Sequence, residues 1–148
     1  MRDATRVCRQ GIASYAAGRL DQAIAHLDEA IRIDPHYASA YCNRAAACCE
    51  KGDFDRAIAD CTKGIELAPE SFRAYNNRGV AHRRKGDLNQ AIADYTKAIQ
   101  LAPKYLDAYR NRRLAYQYLG DGTRAEEDAA KCMDLRESRV SGDQVALR

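Results

Sequence analysis

Between positions 20 and 31 the apolar residues Leu20, Ala23, Ile24, Leu27, Ala30 and Ile31 recur at steps of three and four. That spacing gathers them on one face of a helix and leaves Asp21, Gln22, Asp28 and Glu29 on the other. The alternation begins near Ala4, and Gly18 divides it, because a residue without a Cβ permits the left-handed turn that ends one helix and admits the next. The pattern predicts helix pairs over 4–17 with 20–33 and 38–51 with 54–67, a third pair within 72–105, and a fourth beginning at 106 whose second helix covers roughly 123–136. Asp53 after Gly52 and Asp87 after Gly86 each stand where an N-cap is needed, so each pair is expected to be antiparallel with a tight turn. Residues 137–148 show no periodicity and are expected to form a mobile tail.

The pairs are copies of one another. Moving 72–105 back by 34 positions superposes Tyr75 on Tyr41, Asn77 on Asn43, Gly86 on Gly52, Ala91 on Ala57 and Pro103 on Pro69. A second step brings Gly11, Gly18, Ala23, Ala30 and Pro35 into register, and a forward step aligns Tyr109, Asn111, Gly120 and Ala125. A period that survives three shifts describes units that share a core with their neighbours and are not stable alone. The units are 4–37, 38–71, 72–105 and a degenerate fourth over 106–136. Small residues mark the helix crossings: Gly11, Ala45 and Gly79 share one position, and Ala23, Ala57 and Ala91 another. Phe54 and Leu88, and separately Leu27, Cys61 and Tyr95, fill the flanks. The fourth unit has Arg113 at the first small position and Gly122 where Phe54 and Leu88 stand.

Composition agrees with an all-α chain, since there is no Trp and each of the three Pro closes a unit. A formal charge of +3 is too small to call for a nucleic-acid partner. No apolar run approaches the roughly 20 residues that span a bilayer, so no membrane partner is expected. The polar start MRDATRVCRQG shows no signal peptide, which points to the cytoplasm. The six cysteines, with His26, His36 and His82, match no metal-ligand spacing, and no cofactor is called for. Cys48, Cys61 and Cys132 read as small core residues. Cys8 and Cys42 lie one unit apart, where stacked helices are too distant to bridge, so reduced thiols are expected. No phosphate loop, nucleophile elbow or HExxH is present, so the chain does not read as an enzyme. The recurring carboxylates Asp60, Asp94 and Glu66 read as solvated.

The spacing Tyr75, Gly79, Ala91, Tyr95, Ala98, Pro103 resembles the tetratricopeptide repeat, and the resemblance extends over nearly the whole chain. It implies a right-handed α-solenoid of stacked antiparallel helix pairs and a non-catalytic scaffold, whose first helices form a concave wall for extended peptides or partner helices. By position, that wall comprises Cys8, Arg9, Ile12 and Tyr15, then Ser39, Cys42, Asn43, Ala46 and Cys49. It continues through Arg73, Asn76, Asn77, Val80 and Arg83, with Arg84 at the edge, to Asp107, Arg110, Asn111, Leu114 and Gln117, with Tyr118 at the edge. The column Asn43, Asn77, Asn111 resembles the asparagine ladder of some family members and offers donors and acceptors to a peptide backbone, although each amide can equally bond its own helix or a neighbour. Arg73, Arg83 and Arg110 suit acidic groups or a free C-terminus, whereas Arg78 and Arg112 should face away from the wall. The family's dicarboxylate clamp for chaperone tails places Lys and Asn, then Asn, then Lys and Arg where this chain has Cys8 and Ile12, then Asn43, then Arg73 and Asn77; only Asn43 matches outright, with Arg73 a substitute for Lys, so the clamp is disfavoured. Self-association through an uncovered end face is the alternative. RNA binding by the Arg-rich strip is disfavoured, because Tyr41, Tyr75 and Tyr109 occupy a packing position.

Overall fold

The computed structural model describes residues 3–145, with side chains through 138. Eight helices and no strand occur among the described residues: α1 (Ala4–Ala16), α2 (Leu20–Ile33), α3 (Ala38–Glu50), α4 (Phe54–Leu67), α5 (Phe72–Lys85), α6 (Leu88–Leu101), α7 (Leu106–Leu119) and α8 (Gly122–Val145). Within pairs, the turns pivot on Gly18, Gly52, Gly86 and Gly120, whose φ values of 73°, 85°, 100° and 77° are left-handed. Between pairs, Pro35, Pro69 and Pro103 sit in short loops closed by Tyr37 N–H to Asp34 O, Ser71 N–H to Ala68 O and Tyr105 N–H to Ala102 O. The Tyr41 and Tyr109 hydroxyls donate to the Pro35 and Pro103 carbonyls at 3.1 and 3.0 Å, which ties each first helix to the loop that precedes it.

Two expectations at helix ends need correction. Asp53 caps α4 by accepting from Arg56 N–H at 3.2 Å, but Asp87 makes no cap bond to α6. Its carboxylate instead approaches His82 Nδ1 at 3.6 Å. The last helix does not stop near 136 but runs to Val145, so 137–145 is helical; 146–148 lie outside the described residues. The segment 137–145 carries few apolar residues, so hydrophobic periodicity is a poor guide to helix length there.

The core is the shared ribbon that the repeat requires. Ala23, Ala57 and Ala91 are buried at the crossings, and Leu27, Cys61 and Tyr95 beside them are wholly buried. Each cluster joins consecutive units: Val7, Cys8, Leu27 and Ala30 pack on Ala40, while Leu106, Tyr109 and Cys132 gather Ile99 and Leu135. All six cysteines are free. Burial pushes the Cys42 thiol up to about 11, with Asp60 adding to the effect. No helix among the described residues is long and apolar enough to cross a membrane.

Candidate functional site

Every helix touches its neighbours in sequence, but only the first helices of the units also touch one another, α1 with α3, α3 with α5 and α5 with α7. The second helices make no such contacts, so they are spread on the outside of a curve whose inner wall is α1, α3, α5 and α7. The expected wall residues divide into two groups on this surface. Arg9, Ile12, Tyr15, Ser39, Arg73, Asp107, Arg110 and Gln117 are exposed, and Cys42, Asn43, Ala46, Asn77, Val80, Arg83, Asn111 and Leu114 are half-buried. Cys8 is not on the wall: it is buried in the α1, α2, α3 core. Asn76 and Cys49 are also buried. Cys49 nevertheless lines a pocket of about 100 Å3 with Tyr15, Ala46, Glu50, Asn77 and Val80, drawn from α1, α3 and α5.

The asparagine column forms bonds within the protein. Asn43 Nδ2 donates to Ser39 O of its own helix at 2.7 Å. Asn77 Nδ2 reaches the preceding unit, at Cys42 O, 3.4 Å away. Asn111 Nδ2 donates to Asn76 Oδ1 at 3.0 Å, which gives buried Asn76 its partner. Two of the three therefore tie one first helix to the next, and all three spend a donor rather than the acceptor oxygen.

The arginines separate into structural and available sets. Arg44, Arg78 and Arg112 each clamp the carboxylate sixteen residues on, across the pair. The bidentate distances are 2.8 and 2.6 Å to Asp60, 2.9 and 2.8 Å to Asp94, and 2.9 and 2.7 Å to Asp128. The remaining nitrogen, Nη1, reaches back to the preceding unit, at Asp28 (2.7 Å), Thr62 (3.2 Å) and Thr96 (3.0 Å). The guanidinium carbons lie 5.6, 5.6 and 5.8 Å from the Tyr41, Tyr75 and Tyr109 ring centres. Each clamp joins three helices. Asp60 and Asp94 are only 5% and 6% exposed, so their expected solvation is wrong; Glu66 is exposed as expected. The first unit has Gln10 and His26 at these positions and lacks the clamp; His26 Nδ1 lies 3.4 Å from Ser14 Oγ.

Arg73 is exposed, with its guanidinium 5.9 Å from the Phe72 ring centre. Arg83 lies against the Tyr95 hydroxyl, whose pKa burial pushes up to about 12 while the arginine opposes the shift. Arg84 pairs with Glu50 at 3.2 Å, and Arg110 meets Asp107 at 3.4 Å. Tyr118, 68% exposed, closes a depression with Arg83, Arg84, Gly86 and Leu88 at the groove's edge. Cations therefore flank the wall, while the acids that balance Arg44, Arg78 and Arg112 are turned into the core. No group of three or more His, Cys, Asp or Glu placed to hold a metal ion occurs among the described residues.

The geometry has counterparts among known proteins. The sequence family described as Tetratricopeptide repeat matches residues 38–71 and 72–105, and one described as TPR repeat matches 11–48. No curated protein sequence matches the chain. Among solved structures, the TPR domain of OM64 from Arabidopsis is 30% identical with a TM-score of 0.75, over 78% of this chain and 95% of that one. The first TPR of Spaghetti (RPAP3), bound to the HSP90 peptide SRMEEVD, is 27% identical with a TM-score of 0.76, over 80% and 94%. MamA shares the fold at a TM-score of 0.84 and 24% identity, over 93% and 81%.

Proposed function

Because the chain belongs to the tetratricopeptide repeat family, we propose that it is a non-catalytic interaction scaffold that grips an extended or helical peptide segment, preferably acidic, along the wall of α1, α3, α5 and α7. The observation that carries this reading is the division of the arginines. Three are locked onto buried carboxylates, while Arg9 and Arg73 stay exposed on the wall and Arg110 meets only an exposed carboxylate at 3.4 Å. The apolar surface beside them, from Ile12 and Tyr15 to Val80 and Leu114, gives a peptide area to bury. Asn43, Asn77 and Asn111 present amide oxygens to its backbone N–H groups. Six free thiols suit a reducing compartment such as the cytoplasm.

An acidic segment would be held differently here than by the family's dicarboxylate clamp. Two of the five clamp positions are the buried thiol Cys8 and the apolar Ile12, neither of which attracts a carboxylate. Beyond Arg9 on α1, the cations lie on α5 and α7, and among them Arg73 alone stands at a clamp position. A peptide array carrying each sequence as free acid and as C-terminal amide tests the proposal, probed with the wild type, Asn77→Ala/Asn111→Ala and Arg73→Ala/Arg110→Ala. Acidic peptides should bind the wild type and lose binding to both variants. Binding indifferent to both, or none at all, would remove the groove.

A further inference from the structure

The fourth unit reverses a pairing that the other three keep. At one crossing, the first helix supplies Gly11, Ala45 or Gly79 and the second supplies Leu27, Cys61 or Tyr95. The fit is close: a Cβ on Gly11 would lie 2.7 Å from Leu27 Cγ, and one on Gly79 would lie 2.6 Å from the Tyr95 ring. At the same positions the fourth unit has Arg113 and Ala129. The large side chain now comes from α7, and it carries a charge. Arg113 Nε is shielded from water and meets no hydrogen-bond acceptor among the described residues. Because Nε is sealed, it is the terminal nitrogens of this guanidinium that can meet an acceptor entering from outside.

The space around it is built for one. Arg110, Arg113 and Arg136 line a single pocket of about 340 Å3 between α7 and α8, together with Ala129 and the apolar Leu114 and Met133. Arg113 and Arg136 form no ion pair among the described residues, and Arg110 has only Asp107 at 3.4 Å. Of the nearby acids, Asp128 is clamped by Arg112, and Asp134 and Glu137 line a different depression with Pro103 and Lys104. Three guanidiniums thus converge where the repulsion between them is relieved by a bound anion.

We propose that this pocket takes the free C-terminal carboxylate of a peptide whose last side chain is apolar, the carboxylate among the three arginines and the side chain against Leu114 and Met133. A chain terminus carries both groups on one Cα, which fits cations and apolar atoms lining one cavity better than a glutamate does, whose carboxylate stands away from its neighbours' side chains. The proposal rests on the groove reading in that Arg110 and Leu114 belong to both surfaces, so the pocket closes the groove at α8. It uses none of the positions of the dicarboxylate clamp.

The test follows the arginine Nε–H signals of the 15N-labelled full chain during titration with N-acetyl-leucine, N-acetyl-leucinamide and the α-amide of N-acetyl-glutamate; Arg113→Gln assigns the signal of interest. N-acetyl-leucine should move the Arg113 signal saturably, with a dissociation constant on the order of 1 mM, as few contacts allow. The leucinamide should leave it in place, and the glutamate derivative should bind about tenfold more weakly. Arg136→Gln, at an exposed position, should weaken N-acetyl-leucine about tenfold without changing the unfolding midpoint. Absence of saturation, equal response to the leucinamide, equal affinity for the glutamate derivative, or indifference to Arg136→Gln would each overturn the proposal. Asn77→Ala/Asn111→Ala should not alter the titration. A blank peptide array with an intact titration would therefore remove the groove and leave the pocket, and the reverse result would remove the pocket alone.

Discussion

Gly79→Ala should change sign with its neighbour. Gly79 lies inside α5, where alanine is favoured over glycine by about 1 kcal/mol. Against that gain, the new Cβ would lie 2.6, 2.8 and 3.1 Å from Cε1, Cδ1 and Cζ of Tyr95, well inside van der Waals contact. The ring is wholly buried and packs with Ala91, Ala115, Val80 and Ile92, so it cannot swing aside cheaply. Overpacking of this kind costs about 1–3 kcal/mol, which leaves the single variant from neutral to about 2 kcal/mol less stable. The second unit shows the accommodation: alanine at this position, Ala45, faces the smaller Cys61. In a Tyr95→Cys background the obstruction is gone, and Gly79→Ala should stabilise by about 1 kcal/mol. Urea denaturation of the four proteins of the cycle, followed by circular dichroism, reads a coupling of about 1–3 kcal/mol. If Gly79→Ala has the same effect in both backgrounds to within about 0.5 kcal/mol, close packing is not what holds glycine there.

The repeated clamp and the buried thiol and phenol give two further predictions. Asp94→Ala leaves the Arg78 guanidinium, whose side chain is 22% exposed, without its bidentate partner and should cost about 2–3 kcal/mol; Glu66→Ala, whose pair with Lys63 is open to solvent, should cost under about 0.5. Equal losses in urea denaturation would mean the clamp is no more than a surface ion pair. Burial raises Cys42 from 9.0 to about 11 and Tyr95 from 10.0 to about 12, so the native state holds both protons more tightly than the unfolded chain. Their contribution is complete below the unfolded values and is lost as pH rises through the folded ones, so the urea midpoint should fall between pH 8 and about 10.5. A flat midpoint over that range would refute it.

The repeat, its turns and its small crossings were legible because each depends on local residue type: glycine at a left-handed turn, proline at a unit's end, apolar residues at helical steps. The clamp is not legible in this way, because face assignment treats each helix alone. Asp60 and Asp94 fall on the polar side of α4 and α6, yet the tight turn brings that side under the arginine of the preceding helix. A signal was present in the recurrence of Arg and Asp sixteen residues apart in three units, and in its loss to Gln10 and His26 in the first. Cys8 shares a repeat position with Cys42 and Asn76, and Cys8 and Asn76 are both buried there: a position at the border between wall and core cannot be assigned from one helix's periodicity alone. Arg113 alone is a departure from the repeat; that the residue opposite it has shrunk to Ala129 is visible only when both helices are compared across units.

The asparagine column and the exposed cations should contribute to recognition by this wall in different ways. An amide that reads a peptide backbone needs both a donor and an acceptor free. Asn77 and Asn111 have already given a donor to the neighbouring helix, and Asn43 has given one to its own. Diverting those donors to a ligand would exchange one hydrogen bond for another, with little net gain because each is worth only about 1 kcal/mol. The oxygens, and the second N–H that Asn77 and Asn111 each retain, can still pair with a peptide at no such loss, so the column adds to affinity and fixes an extended chain's direction. Arg73 and Arg110 are in a different position: exposed, and at most loosely paired, they have no buried interaction to surrender when a carboxylate arrives. Affinity should therefore fall when either the arginines or the amides are removed, and the arginine contribution alone should fall with added salt.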